Sequence, residues 1–331
     1  MISRRTFQRI LGGVLAAHAM GVRSQPAGRA YRVALLRPTP APPTLDSVSA
    51  EVVLAKAFAR MGYAEGRNFH LEHRYGDGDP QRLQAHAREL VQERVDVIVA
   101  VTPSGVRAAM AATTSIPIVF FVNQDPIAAG FVQSLARPGS NVTGVLIAPE
   151  GTLGAKKLDL LKAAIPSARR VTVIESGDPA ISRVQMPELE QAASKLGMDV
   201  PLVTLRNGDY GDAFKRVVAT KPDAVFVMAD SYFMINRGPI IAQTLKHRLA
   251  SMWEWREQVQ DGGLMSYASD LADLYRKGAR YVARIFNGEN PGELPIEQPS
   301  KYELAINMIT AKRMGLEIPT SVLARADEVI G

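Results

Sequence analysis

The chain has no cysteine. That excludes disulfides, thiolate metal sites, a cysteine nucleophile and lipid attachment through an N-terminal Cys. Histidine is also scarce, with five in 331 residues. His18 falls in the N-terminal segment, His70 and His73 on opposite faces of one predicted strand, and His86 and His247 in predicted helices. No two of them stand at metal-ligand spacing. The phosphate loop G-x-x-x-x-G-K-[ST], the dinucleotide G-x-G-x-x-G, the nucleophile elbow G-x-S-x-G and H-E-x-x-H are all absent, so no metal or cofactor is indicated. Any chemistry would have to rest on carboxylates or lysine. No apolar run reaches the roughly 20 residues that span a bilayer. Acid is missing from the first 29 residues, which hold Arg4, Arg5, Arg9, Arg23 and Arg29. These five arginines account for most of the formal net charge of +6, leaving +1 for the body of the chain. A basic surface for nucleic acid is therefore not present.

What is present begins with an export pattern. Ser3-Arg4-Arg5-Thr6-Phe7 precedes a mildly apolar stretch from Ile10 to Met20, with Ala17-His18-Ala19 as a small-x-small cleavage candidate. This is the three-part layout of a signal peptide. The paired arginines ahead of a weakly apolar region resemble a twin-arginine signal, while a general-pathway signal that happens to hold two arginines has the same outline. Residues 1–30 are read as the signal, and the processed chain is expected in the periplasm.

From Tyr31 onward, apolar β-rich runs alternate with amphipathic helical stretches closed by Gly or Pro. The first half predicts strands at Arg32–Leu36, Phe69–Tyr75, Val95–Val101, Ile116–Val122 and Val142–Leu146, with helices near 46–61, 80–93 and 104–113. The second half predicts strands at Arg170–Ile174, Val200–Leu205, Ala224–Met228, Ala250–Trp253 and Gly263–Tyr267, with helices near 156–165, 182–196, 210–220, 239–247 and 271–287. Runs such as Val97-Ile98-Val99-Ala100-Val101 are apolar at every position, as expected of parallel strands covered on both faces. The expected fold class is α/β, with two doubly wound parallel-sheet lobes joined near 148–152 and a ligand cleft where the carboxyl ends of both strand sets meet.

Candidate ligand-binding residues follow from strand ends. Thr102-Pro103-Ser104-Gly105 opens a helix directly after a strand, so hydroxyls and unpaired backbone N–H groups suit a carboxylate, although Thr102 or Ser104 equally serves as a helix cap. Asn123 and Asp125 end the next strand, where Asp125-Pro126 also reads as a turn. From the second half come Asp178, Asp230, Trp253 and Tyr267. Asp230 is the candidate partner for an ammonium group, with a helix cap as its ordinary alternative. One of Trp253 and Trp255 is expected to pack in the core. Gly76-Asp77-Gly78-Asp79-Pro80 reads as a turn and helix start, because the ligand ladder of a calcium loop is missing.

Several segments together resemble a known family. FARMGYAEGRN (58–68), Gly78-Asp79-Pro80 with Leu83, Val95-Asp96-Val97-Ile98-Val99, Ile116-Pro117-Ile118-Val119-Phe120 and LARPGSNVTG (135–144) occur in order. KLDLLKAAIP (157–166), GGLMSY (262–267), DLADLYR (270–276), LPIEQP (294–299) and Ile306-Asn307 with Thr310-Ala311-Lys312 follow. Over about residues 31–330 the chain is similar to ABC-transporter substrate-binding proteins, including tryptophan- and phenylalanine-binding members. The resemblance implies a type I periplasmic-binding-protein fold whose discontinuous lobes, 31–146 plus about 269–300 and 147–268 plus about 301–331, close on a small-molecule ligand. It implies delivery to an ABC transporter permease, action as a monomer without chemistry, and no nucleic-acid partner. A periplasmic sensor for a membrane signalling protein would need the same cleft. Within the resemblance, Thr102–Gly105 corresponds to the first-lobe ligand loop, and Asp230 and Tyr267 to second-lobe and hinge positions. Two departures stand out: the proline-heavy loop Pro38–Pro43, and a soluble-export signal in place of the family's usual lipid-anchoring Cys.

Overall fold

Strands that are apolar at every position need cover on both faces, and helices packed on the two faces of each sheet supply it. The computed structural model describes residues 30–42, 45, 49–148, 153–205 and 208–331. The signal segment, Pro43 and the 149–152 part of the join lie outside the described residues. In the first lobe, β1 (Tyr31–Arg37), α1 (Ala50–Arg60), β2 (Phe69–Tyr75), α2 (Pro80–Gln92), β3 (Val97–Val101), α3 (Thr102–Ala112), β4 (Ile118–Val122) and β5 (Val142–Leu146) follow in order. The sheet order is β2-β1-β3-β4-β5, all parallel. Every residue of β3, β4 and β5 is buried.

The second lobe contains α4 (Leu153–Ala164), β6 (Val171–Glu175), α5 (Pro179–Leu196), β7 (Leu202–Thr204), α6 (Tyr210–Ala219), β8 (Ala224–Val227), α7 (Ser231–Ile235), α8 (Arg237–Lys246), β9 (Ala250–Trp253), α9 (Arg256–Gln260) and β10 (Met265–Ala268). Its sheet begins β7-β6-β8-β9-β10, the same parallel order as the first. The chain then returns to the first lobe. There α10 (Leu271–Phe286) joins the core formed by Phe58, Val99, Phe121 and Val145, and Glu297 bridges Val145. It crosses back a last time to β11 (Glu303–Asn307), α11 (Met308–Met314), α12 (Thr320–Leu323) and β12 (Glu328–Ile330).

The last two strands differ from a purely parallel plan. β11 pairs antiparallel with β10, and β12 extends that edge parallel to β11. The reason is connectivity: β11 enters from the first lobe at the carboxyl end of β10, so it can only run back along it. Among the described residues no helix is long and apolar enough to cross a membrane.

Capping explains several boundaries. Asp79 accepts from Gln81 N at 2.8 Å and Pro80 takes the first helical turn, so the acidic, glycine-rich stretch ahead of α2 is a helix start. Asp270 accepts from Asp273 N at 2.9 Å and starts α10. The crossovers are tied together by Ser269 Oγ donating to Ile147 O at 3.0 Å, and by Arg256, whose guanidinium lies 3.4 Å from Asp270 and 3.3 Å from Glu303.

Candidate functional site

In a sheet of order 2-1-3-4-5, connections leave strands 1 and 3 toward opposite faces, which opens a crevice at their carboxyl ends. Here that crevice occurs twice, at β1/β3 and at β6/β8, and the two face each other across one cavity. Arg37 lies at the end of β1, Thr102 follows β3, Asn123 follows β4 and Ile147 follows β5. The opposite wall is Ala229 and Asp230 after β8, Trp255 after β9, and Ile181 and Met234 from the helices behind them. Leu271 and Tyr275 of α10 close one side.

The structure separates Thr102 from Ser104 and Gly105 in the loop after β3. Thr102 lines the cavity at φ 68°, a left-handed conformation that a β-branched residue rarely adopts. The Ser104 hydroxyl lies 3.0 Å from Thr102 Oγ1, and Gly105 backs onto β1 so closely that an added Cβ would sit 3.3 Å from Leu36 O. Neither belongs to the cavity wall. No side chain caps α3, whose first two residues, Thr102 and Pro103, line the cavity.

The remaining predicted residues divide in the same way. Asn123 lines the cavity. Asp125 instead accepts from Ile127 N at 2.8 Å and Ala128 N at 3.3 Å, making the turn that Asp-Pro favours. Asp178 leads into α5, its carbonyl accepting from Ile181 and Ser182, and lies off the wall. Tyr267 stacks on Tyr302 at 5.9 Å beside the crossovers, away from the cavity. Trp253 is wholly buried in the second-lobe core, donating to Ser251 Oγ at 2.8 Å. The tryptophan that reaches the cavity is Trp255. It leaves the second sheet and packs into the first-lobe core with Leu271 and Tyr275.

Asp230 does line the cavity, and its carboxylate is already engaged. One oxygen accepts from Tyr232 N at 2.8 Å, capping α7, and the other accepts from Ser176 Oγ, joining the ends of β8 and β6. Strand-end reasoning leaves open whether Arg37 reaches the cleft, and the structure places it on the cavity wall. It is buried, and Nη1 donates to Glu51 Oε1 at 2.8 Å; Tyr75 donates to the same oxygen at 3.1 Å. Burial, reinforced by Glu51, pushes the Tyr75 hydroxyl up to about 12, so it stays a donor. A cation directly after the apolar run Val33–Leu36 was the signal available for it.

His73 stands next to this cluster, and burial holds its imidazole below the usual histidine range. The unfolded chain therefore takes up this proton first, and stability is lost as pH falls below about 6.5. His73→Phe is expected to flatten the fall in melting temperature between about pH 7 and 5. An unchanged slope would assign the loss to other groups.

A second cavity shares Asn123 and Ala229 with the first and contains a buried ion pair between Lys157 and Glu254, whose side chains are 3% and 2% exposed. Gln185 clamps its rim, donating to Ala229 O at 2.9 Å and accepting from Ala229 N at 3.0 Å.

Two α/β lobes with crossing connections and an interlobe cavity at both strand-order reversals define a protein of the type I periplasmic-binding-protein class. The chain belongs to the ABC transporter substrate binding protein family, whose model matches residues 44–330. A conserved domain protein of Vibrio cholerae is 27% identical, with TM-score 0.80 over 91% of this chain and 100% of that one. An ABC domain from Streptococcus pneumoniae solved in complex with L-Trp is 24% identical, with TM-score 0.77 over 90% of this chain and 100% of that one. A tyrosine-binding protein of Clostridioides difficile is 26% identical over 277 residues, 83% of this chain and 78% of the relative.

Proposed function

We propose that the protein is the periplasmic substrate-binding component of an ABC uptake transporter. It binds a small carboxylate, amino acids included, by lobe closure, and as a monomer presents the closed form to a permease without chemistry. The observation that carries this reading is a cavity at two facing strand-order reversals, with Arg37 from one lobe and Asp230 from the other on an otherwise largely apolar wall. Closure lowers the free energy only through contacts made in the closed state, so a ligand touching both walls is what stabilises it. The paired-arginine segment supports export, most simply by the twin-arginine route. The names of the relatives support the amino-acid class.

The test is a thermal-shift screen of the purified protein, unfolded and refolded to strip carried ligand, against amino acids, other carboxylates, sugars and nucleosides. A ligand at about 1,000 times its dissociation constant adds roughly 4 kcal/mol, which is several degrees at this size. A selective shift without consumption of the compound is the expected result. A shift with only uncharged sugars would discard the carboxylate class, and turnover of any compound would discard the binding-only mechanism.

A further inference from the structure

Buried donors without partners are costly, and the cavity has two of them. Arg37 Nε and Trp255 Nε1 have no hydrogen-bond partner among the described residues, and both side chains belong to residues only 5% and 6% exposed. They come from opposite lobes and line the same cavity. Glu51 holds the guanidinium by Nη1, which fixes the arginine while leaving Nε unmet. α3 begins at the same wall with Thr102 and Pro103 and has no side-chain cap, which puts the positive end of a helix dipole on that side of the cavity. Asp230, by contrast, already has a donor on each oxygen and needs nothing from a ligand. What the cavity lacks is an acceptor with two lone-pair-bearing atoms. Around it Phe121, Ile147, Ile181 and Met234 offer only apolar surface.

We propose that Arg37 and Trp255, one from each lobe, jointly seat the carboxylate of the ligand, so that the anion itself bridges the cleft and an ammonium group on the ligand is dispensable. The substrate class is then the apolar carboxylates, of which amino acids are one subset. This rests on the carboxylate-receptor reading above and adds the anion seat and the order of importance of the two ligand charges.

Calorimetry on the refolded protein with two matched sets tests it: phenylalanine, 3-phenylpropanoate and 2-phenylethylamine, then leucine, 4-methylpentanoate and 3-methylbutylamine. In the set that binds, the des-amino carboxylate is expected within tenfold of the amino acid, and the amine more than a hundredfold weaker. Trp255→Phe keeps an aromatic ring but removes the N–H together with part of the buried indole surface, and is expected to weaken both carboxylates about tenfold while lowering the melting temperature by a few degrees. Arg37→Met paired with Glu51→Gln avoids leaving a lone buried carboxylate and is expected to cost at least a hundredfold. Asp230→Asn should change amino acid and des-amino acid by the same factor. A des-amino acid more than tenfold weaker than its amino acid, or an Asp230→Asn effect confined to the amino acid, overturns the dispensable ammonium. Full affinity in Trp255→Phe or in the Arg37 double variant overturns the seat while leaving the receptor reading in place. A response to sugars or nucleosides with none to either set overturns the seat and the carboxylate class together. Silence across all solutes removes the receptor reading as well.

Discussion

Lys157→Met is expected to destabilise the protein by about 3–5 kcal/mol, the cost of leaving one member of a buried ion pair without its partner. Glu254 is 2% exposed, and Lys157 Nζ donates to its Oε2. The lysine ammonium also lies 5.9 Å from the centre of the Phe226 ring, so few groups other than Glu254 can compensate its charge. At this chain length such a loss lowers the melting temperature by roughly 6–15 °C. Replacing both partners, Lys157→Met with Glu254→Leu, removes both buried charges and is expected to restore most of it. Differential scanning calorimetry of the two single variants and the double closes the cycle, and a single-variant loss below about 1 kcal/mol would show the pair to be solvated. The consequence reaches the cleft. Glu254 stands between Trp253, locked in the core, and Trp255, which crosses to the other lobe. Its bond to α4 therefore sets where Trp255 emerges.

Gly278→Ala is expected to weaken ligand binding at least tenfold and to lower stability by about 1–2 kcal/mol. Alanine in place of glycine in a helix interior ordinarily gains about 1 kcal/mol. Here the added Cβ of α10 would sit 2.1 Å from Phe121 Cζ. Phe121 is fully buried on β4, with its ring edge-on to Tyr275 at 4.9 Å, so it yields only by moving its neighbour. Overpacking of this kind costs about 1–3 kcal/mol or more. Phe121 and Tyr275 both line the cavity, so the displacement is expressed there. Adding Phe121→Leu should return the lost stability without restoring affinity, measured by calorimetry. Unchanged affinity in Gly278→Ala would mean that α10 shifts as a body instead.

Much of the fold was legible. In β3, β4 and β8 every position is apolar, the pattern of a parallel strand covered on both faces. Phe69–Tyr75, Val142–Leu146 and Ala250–Trp253 coincide with their predicted limits. β11 and β12 were not legible. Each is short, each lies on the single edge where the pairing direction reverses, and neither has a pattern apart from the partner it meets.

The site was legible only by neighbourhood. Thr102, Asn123 and Asp230, proposed because they follow strands, line the cavity; the same rule proposed Ser104, whose hydroxyl meets Thr102 instead, and Asp125, Asp178 and Tyr267, which stand at a turn, a helix start and a crossover. Choosing between Trp253 and Trp255 was beyond a linear pattern. The two are separated by one residue, yet the first ends a strand inside its own lobe and the second departs into the other.

By itself the sequence determined the two α/β halves, the edge of each sheet on which a ligand site must lie, and the charge types available there. It could do so because burial and strand direction leave their mark locally, residue by residue. The tertiary structure alone decided which strand ends face the cavity, that Arg37 stands free of full pairing, and that Asp230 is spent on Tyr232 and Ser176. Those outcomes depend on how two sheets joined by crossing connections meet, and on which polar groups remain unmet once they have met. No stretch of the chain encodes either one separately.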